Sequence, residues 1–322
     1  MNRALLVSCL LLACGGAPGD SAPSSPGLDP GQAFLTAAAE YQVPVEVLRG
    51  LGWVETRLST TADLESAQGG VGLMQLRRQG DWDTLGDAAR LTGTTEGRLR
   101  VDVAANIRGA AAVLRALFDG LGQPGLDARR VDDWFSAVAL YPGFESATLA
   151  HDYAADVYLA LERGFPTQPP FACDWRRHAT PAAQRRDAAL EYPNAAAWVA
   201  SPNFTPGRSG TAIDRVLVHT MQGSYAGTRS WFLNASSNVS SHYIIRSSDG
   251  EVTQMVAHAD TAWHVQCYNR RSVGLEHEGY VQNPDTWYTE NMYRESGKLT
   301  RYICDRHGIP KDRAHIIGHY EA

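Results

Sequence analysis

Apolar side chains in residues 31–164 recur at helical spacing. Gln32 to Tyr41 is alanine-rich, and Pro44 stands where a helix can begin, because a first-turn N–H has no partner to lose. Val47, Leu48, Leu51 and Val54 follow with helical periodicity, and Val103, Ile107, Ala110, Leu114 and Leu117 make a second stripe. Asp132 to Tyr141 and Leu149 to Leu161 are two further helices. From residue 211 the pattern alternates between strand and helix. Arg215 to His219 reads as a buried strand and Thr228 to Asn234 as a short helix. Ser241 to Arg246 and Glu251 to Val256 form a hairpin across the turn Ser248-Asp249-Gly250. Ser272 to Glu276 is another strand. Thr289 to His307 is helical, with Met292, Leu299 and Ile303 in register, Gly308 as its cap and Pro310 barring continuation. His315 to His319 closes the series as a final strand.

This pattern describes an α+β two-domain chain. A mainly α domain occupies 31–166, and a proline-containing linker with Arg176, Arg177, Arg185 and Arg186 occupies 167–210. A mixed α/β domain with a central β-sheet flanked by helices occupies 211–322. The length of 322 residues suits about two domains. With 44% hydrophobic and 20% charged residues, disorder throughout is excluded. The net charge of −6 gives no basic field for phosphate backbones, so nucleic acid is not an expected partner. A monomer is expected.

Residues 1–13 carry Arg3 and then a short apolar run, too short to span a bilayer, and read as a signal peptide. The run ends in Leu11-Leu12-Ala13-Cys14, which resembles a bacterial lipoprotein box. That resemblance implies cleavage before Cys14, a lipid on its thiol, and an exported protein anchored to a membrane and facing the periplasm or the outside. Residues 14–30 are rich in Gly, Ser, Pro and Asp and read as a flexible tether. Of the five cysteines, Cys173, Cys267 and Cys304 then remain in an oxidising compartment. Cys267 and Cys304 share one domain and are the expected pair.

In the helical domain, Trp53-Val54-Glu55-Thr56-Arg57 is followed by Gly69-Gly70-Val71-Gly72-Leu73-Met74-Gln75-Leu76. The order resembles lysozyme-like lytic transglycosylases, in which a Glu closing a helix precedes a Gly-Leu-Met-Gln turn; Asn106 and Tyr141 fall at later motifs of that family. The resemblance implies Glu55 as a possible second catalytic site, a lone general acid/base with a raised pKa. The chain departs from the family at Thr56, where Ser is usual, and at Pro142, where Asn is common. The other reading of Glu55 is a helix-end carboxylate in a glycan-binding relic of the fold.

Histidines crowd onto or beside the strands of the second domain: His219, His242, His258, His264, His315 and His319, with His277 after Glu276. Strand ends bring distant side chains together, and imidazole suits zinc. The words Val218-His219-Thr220, Gly223, Ser241-His242-Tyr243, Asp249-Gly250, Ala262-Trp263-His264, Asn269, Ser272-Val273-Gly274-Leu275-Glu276 and Gly318-His319 occur in this order. They resemble zinc N-acetylmuramoyl-L-alanine amidases, whose fold is shared with peptidoglycan recognition proteins. The resemblance implies a Zn2+ cofactor held by His219 and His319, and Glu276 as general base. It implies Tyr243 as the residue stabilising an oxyanion, and Trp263, His264 and Asn269 as lining of a substrate groove. The expected substrate and partner is peptidoglycan, cut between N-acetylmuramic acid and the L-alanine of the stem peptide. The family's third zinc ligand, an Asp or Cys on a loop beyond the second histidine, has no counterpart before Ala322; the expected reading is an amidase domain truncated ahead of that ligand, since Asp260, Glu321 or His315 could replace it only in an unusual geometry. Two alternatives stay open: a peptidoglycan-binding lipoprotein without catalysis, and a bifunctional protein with transglycosylase activity around Glu55.

Overall fold

The computed structural model describes residues 29–60, 65–79, 82–178 and 190–322. The signal-like segment with Cys14, most of the tether, and Arg185 and Arg186 lie outside the described residues.

The first half is a helical body of α1 (Pro30–Tyr41), α2 (Val45–Thr56), α3 (Thr84–Thr92), α4 (Glu96–Val101), α5 (Val103–Gly120), α6 (Phe135–Leu140) and α7 (Ala147–Arg163). α5 is its axis. Ile107, Ala110, Ala111 and Leu114 are fully buried, and α1 and α3 pack against it. Asp102 caps α5 by accepting from Ala105 N, and Ser146 caps α7 by accepting from Leu149 N. α2 lies close on α7 because Gly50 brings no side chain; a Cβ there would stand 3.1 Å from Leu161 and Val157. The expected mainly α pattern is interrupted by a short hairpin, Arg78–Gln79 with Trp82–Asp83.

Asn106 ties the glycine-rich turn to α5. Its Oδ1 accepts from Met74 N at 2.7 Å, and its Nδ2 donates to Val71 O and Leu99 O at 3.1 and 2.9 Å. Gly72, at φ +68°, is required beneath it, since a Cβ would come within 2.4 Å of Asn106 Nδ2.

The second half is a six-stranded sheet of β1 (Ala197–Trp198), β2 (Arg215–Thr220), β3 (Tyr243–Ile245), β4 (Val252–Gln254), β5 (Ser272–His277) and β6 (Ile316–Gly318). The spatial order is β6-β2-β5-β3-β4-β1, with β3 and β4 the antiparallel hairpin and every other neighbour parallel. Three helices follow the strands: α8 (Tyr225–Leu233), the single turn α9 (Pro284–Trp287) and α10 (Glu290–His307). α10 covers one face, with Met292, Leu299, Ile303 and Cys304 against Val216, Tyr243, Val273 and Leu275. On the other face Phe232 of α8 packs with Ile244 and Met255.

The expected linker is largely built into the two bodies. Trp175 is buried and stacks on Phe135 in the helical core. β1 edges the sheet, and Tyr192 packs edge-on against Tyr243. The expected Cys267–Cys304 bond is absent: Cys304 is buried in the face of α10 that meets the sheet, while Cys267 is exposed on the turn Gln266–Arg271. Cys173 is also free.

The halves meet across a charged seam. Arg229 pairs with Asp152 at 2.7 Å and Arg246 with Asp156 at 3.0 Å. Arg57 pairs with Glu278 at 3.4 Å, both side chains nearly sealed from solvent, and its guanidinium lies between the Trp53 and Trp287 rings.

Asn106→Ala leaves Met74 N, Val71 O and Leu99 O without their partner inside the core. It should cost about 2–3 kcal/mol, read as a lower urea midpoint at unchanged slope. A loss below about 0.5 kcal/mol contradicts the assignment.

Candidate functional site

The register of three strands assembles the site. β2 carries His219 directly beside Glu276 of β5, and β6 runs parallel to β2 through Gly318↔Val218, so His319 emerges next to His219. The Nδ1 atoms of the two histidines are 2.8 Å apart. Glu276 Oε1 is 3.9 Å from His219 Nδ1, and Glu276 Oε2 is buried without a hydrogen-bond partner. Burial alone pushes the Glu276 carboxyl up to about 8. Burial, reinforced by neighbouring imidazoles, holds His219 down at about 2 and thus in the neutral form.

His264 completes a row of three imidazoles, its Nδ1 2.9 Å from His219 Nε2. The ring rests on Gly274, where a Cβ would lie 2.7 Å from His264 Nδ1 and 2.8 Å from Ser241 Oγ. Asn269 does not line the groove through its carboxamide oxygen. That oxygen accepts from His264 N at 3.0 Å and Val265 N at 2.7 Å, and so holds the loop that presents His264. Trp263 borders the groove, with its indole N–H on Thr205 Oγ1.

Tyr243 lies away from this group. Alternation puts Ile244 on the face with Glu276 and His219, and Tyr243 on the face toward α10. Its hydroxyl meets His258 Nε2 at 2.8 Å, and His258 Nδ1 meets His307 Nε2 at 2.8 Å. The expected oxyanion role is corrected on this ground: the phenol is a core side chain across the sheet from the site.

The other histidines are structural. His277 bridges His219 O and Ser296 Oγ, and His242 accepts from Gly274 N. The stand-in ligands are engaged elsewhere. Asp260 accepts from Gly207 N, Glu321 pairs with Arg313, and His315 with Asp312. Arg208, unnoticed in the sequence because it sits among linker-like residues, is buried beneath the site. It donates to Arg270 O and Ser272 O at 2.9 and 3.0 Å and contacts His242 Nε2 at 2.8 Å. Burial lowers its pKa to about 10.

The His219 and His319 nitrogens at contact distance suit a borderline cation, whose charge would draw the unpartnered Glu276 carboxyl beside them toward its ionised form. A cavity of about 770 Å³ opens over His219, Glu276, His264 and His319, walled by Trp231 and Phe232. A second acidic group, Asp132, Asp133 and His178, lies in the helical half. Arg177 and Arg130 neutralise its carboxylates, with Arg177 2.8 Å and Arg130 3.0 Å from Asp132.

Glu55 is sealed. It is 2% exposed, and its Oε1 accepts from Tyr153 OH at 2.7 Å and Arg77 Nη2 at 3.2 Å. Its Oε2 accepts from Ser224 Oγ, at the start of α8 in the sheet half, at 3.3 Å. Burial raises its pKa, as the transglycosylase resemblance expects, but the sheet half covers the carboxylate.

A family model described as N-acetylmuramoyl-L-alanine amidase matches residues 209–322. N-acetylmuramoyl-L-alanine amidase A of Achromobacter lyticus is 43% identical over 109 residues, 34% of this chain and 60% of that protein. The chain thus spans less than two thirds of this curated relative. A solved structure of a selenomethionine AmpD derivative is 24% identical at a TM-score of 0.31, covering 40% of this chain and 83% of its own. The Staphylococcus aureus hydrolase AmiA in complex with its ligand is 14% identical at 0.32, covering 38% and 63%.

Gly274→Ala should push His264 off His219. A crystal structure of the variant should lack the 2.9 Å contact seen here, at a stability cost of about 1–3 kcal/mol. An unmoved imidazole contradicts this reading of the glycine.

Proposed function

We propose that this chain is a peptidoglycan hydrolase whose sheet half cuts the amide between N-acetylmuramic acid and the L-alanine of the stem peptide. The observation that carries the reading is Glu276 Oε2, buried, unpartnered and beside the His219–His319 pair, in the segment that matches the amidase family model. A buried carboxylate without a partner is costly, and a site that transfers protons has a use for one.

His219 and His319 would hold zinc. When bound, zinc supplies Lewis acidity that polarises the scissile carbonyl and lets a water lose its proton near neutral pH. Glu276 takes that proton at Oε2 and returns it to the departing amine. The neutral His219 imidazole keeps its lone pair available, and Gly274 with Asn269 sets His264 against His219 at the groove wall. Trp231, Phe232 and Trp263 give the substrate an apolar wall and exclude water from the groove. Residues 1–13 fit this reading as a lipoprotein signal peptide whose removal would leave Cys14 anchored in a membrane facing the wall.

Purified sacculi should release stem peptides, and EDTA should stop the release until zinc is restored. Glu276→Ala should lower the rate by about 10²–10⁴-fold. Release that persists without metal, or in the variant, overturns the proposal. Because Glu55 is covered, the same digests should contain no 1,6-anhydromuramic acid. Its appearance would restore Glu55 as a glycosidic acid.

A further inference from the structure

The wall of the cavity over His219 and Glu276 is not made by the sheet half alone. Ala67 and Gln68 of the helical half stand in it. The turn that carries them is fixed at both ends. Ser66 N donates to Gly70 O at 2.9 Å, Gly70 N donates to Ser66 Oγ at 3.0 Å, and Ala67 N donates across the seam to Gln222 O at 2.9 Å. Gln222 follows β2 closely, three residues after His219. The Gln68 side chain lies over Gly223, where a Cβ would come within 2.5 Å of its Oε1, and near Gly227. Gly223 is itself pinned to Gly279 by a pair of backbone hydrogen bonds at 3.1 and 3.2 Å. Gln68 is 9% exposed, yet its carboxamide makes no hydrogen bond among the described residues.

We propose that Gln68 is a specificity-determining residue of the groove: its carboxamide hydrogen-bonds an amide of the substrate, so that the helical half selects what the sheet half cuts. A carboxamide donates and accepts at once and so matches one amide group in both directions. The inference rests on the amidase reading. Peptidoglycan offers amides from two sources, the N-acetyl groups of the glycan and the backbone of the stem peptide.

The test uses the whole protein with Gln68→Ala and Gln68→Glu. Muramoyl peptides of increasing peptide length at fixed glycan, and of increasing glycan length at fixed peptide, serve as substrates. Gln68→Ala should raise KM about tenfold with kcat within about twofold and an unchanged melting temperature. An effect that grows with peptide length assigns the stem peptide, and one that grows with glycan length assigns the N-acetyl group. An unchanged KM, or a fall in kcat that tracks a lowered melting temperature, overturns the proposal. Binding of the same muropeptides to the metal-free protein, followed by calorimetry, gives a readout that needs no turnover. Gln68→Ala should weaken Kd about tenfold there, and equal affinities overturn the inference. If the unmutated protein cleaves no muropeptide but Gln68→Ala still weakens binding, the amidase reading fails and the recognition role of Gln68 stands.

Discussion

The parallel register of β2 with β5 is the constraint on which the rest of the site depends. It sets His219 opposite Glu276 and, through β6 on the other side of β2, brings His319 to the same strand end. A slip of one residue would send every one of these side chains to the face under α10. The register is held because both faces are buried. Val216, Val273 and Leu275 have a place only beneath α10, and Gly274 and Ile244 have one only on the site face. The strand-borne part of the site thus inherits its geometry from the apolar core, while Asn269 holds the loop that presents His264.

That division explains how a fold tolerates groups that cost stability. Glu276 Oε2 and Ser241 Oγ are buried without partners, and three imidazoles crowd one another at hydrogen-bond distance. Each such group is unfavourable by about 1–3 kcal/mol. The sheet can carry them because Arg208, Asn269 and His242 saturate the surrounding backbone, donating or accepting where loop groups would otherwise be bare. Glu276 lines the groove, where a substrate and a cation can supply what the protein does not.

The elements that set this geometry were legible in the sequence, and the facing of particular side chains was only partly so. The helices with strong stripes, and the strands ending at His219 and Glu276, could be read from spacing, because a half-buried helix must repeat its apolar residues. Tyr243 was placed on the wrong side for a physical reason. β3 is buried on both faces as Tyr-Ile-Ile, so no polar alternation marks which residue looks toward the site. Arg208 was hidden because it precedes β2 in a segment of Pro, Gly and Ser, where an arginine reads as solvated. Asn269 lies with Trp263, His264 and His319 along one cavity, and its carboxamide oxygen also serves the loop backbone, a second role that residue type cannot reveal. Gln68 was invisible because its contacts with Gly223 and Gly227 join parts of the chain more than 150 residues apart.

The same seam that brings Gln68 to the groove removes Glu55 from solvent, and the two facts have one cause. α8 begins at Ser224, whose hydroxyl both caps the helix at Gly227 N and reaches Glu55 Oε2. Docking that helix start against the end of α2 covers the carboxylate. It also seats the Ser66–Gly70 turn on the Gln222-Gly223 backbone. Arg77 and Tyr153 stabilise the buried charge from the helical side, and the Arg57–Glu278 pair closes the seam beside it. An open cleft at Glu55 would require breaking the Ser224–Glu55 and Arg57–Glu278 contacts across the seam, and doing so would also withdraw Gln68 from the cavity. In this arrangement the helical half cannot both expose Glu55 and line the groove. Its geometry commits it to the groove.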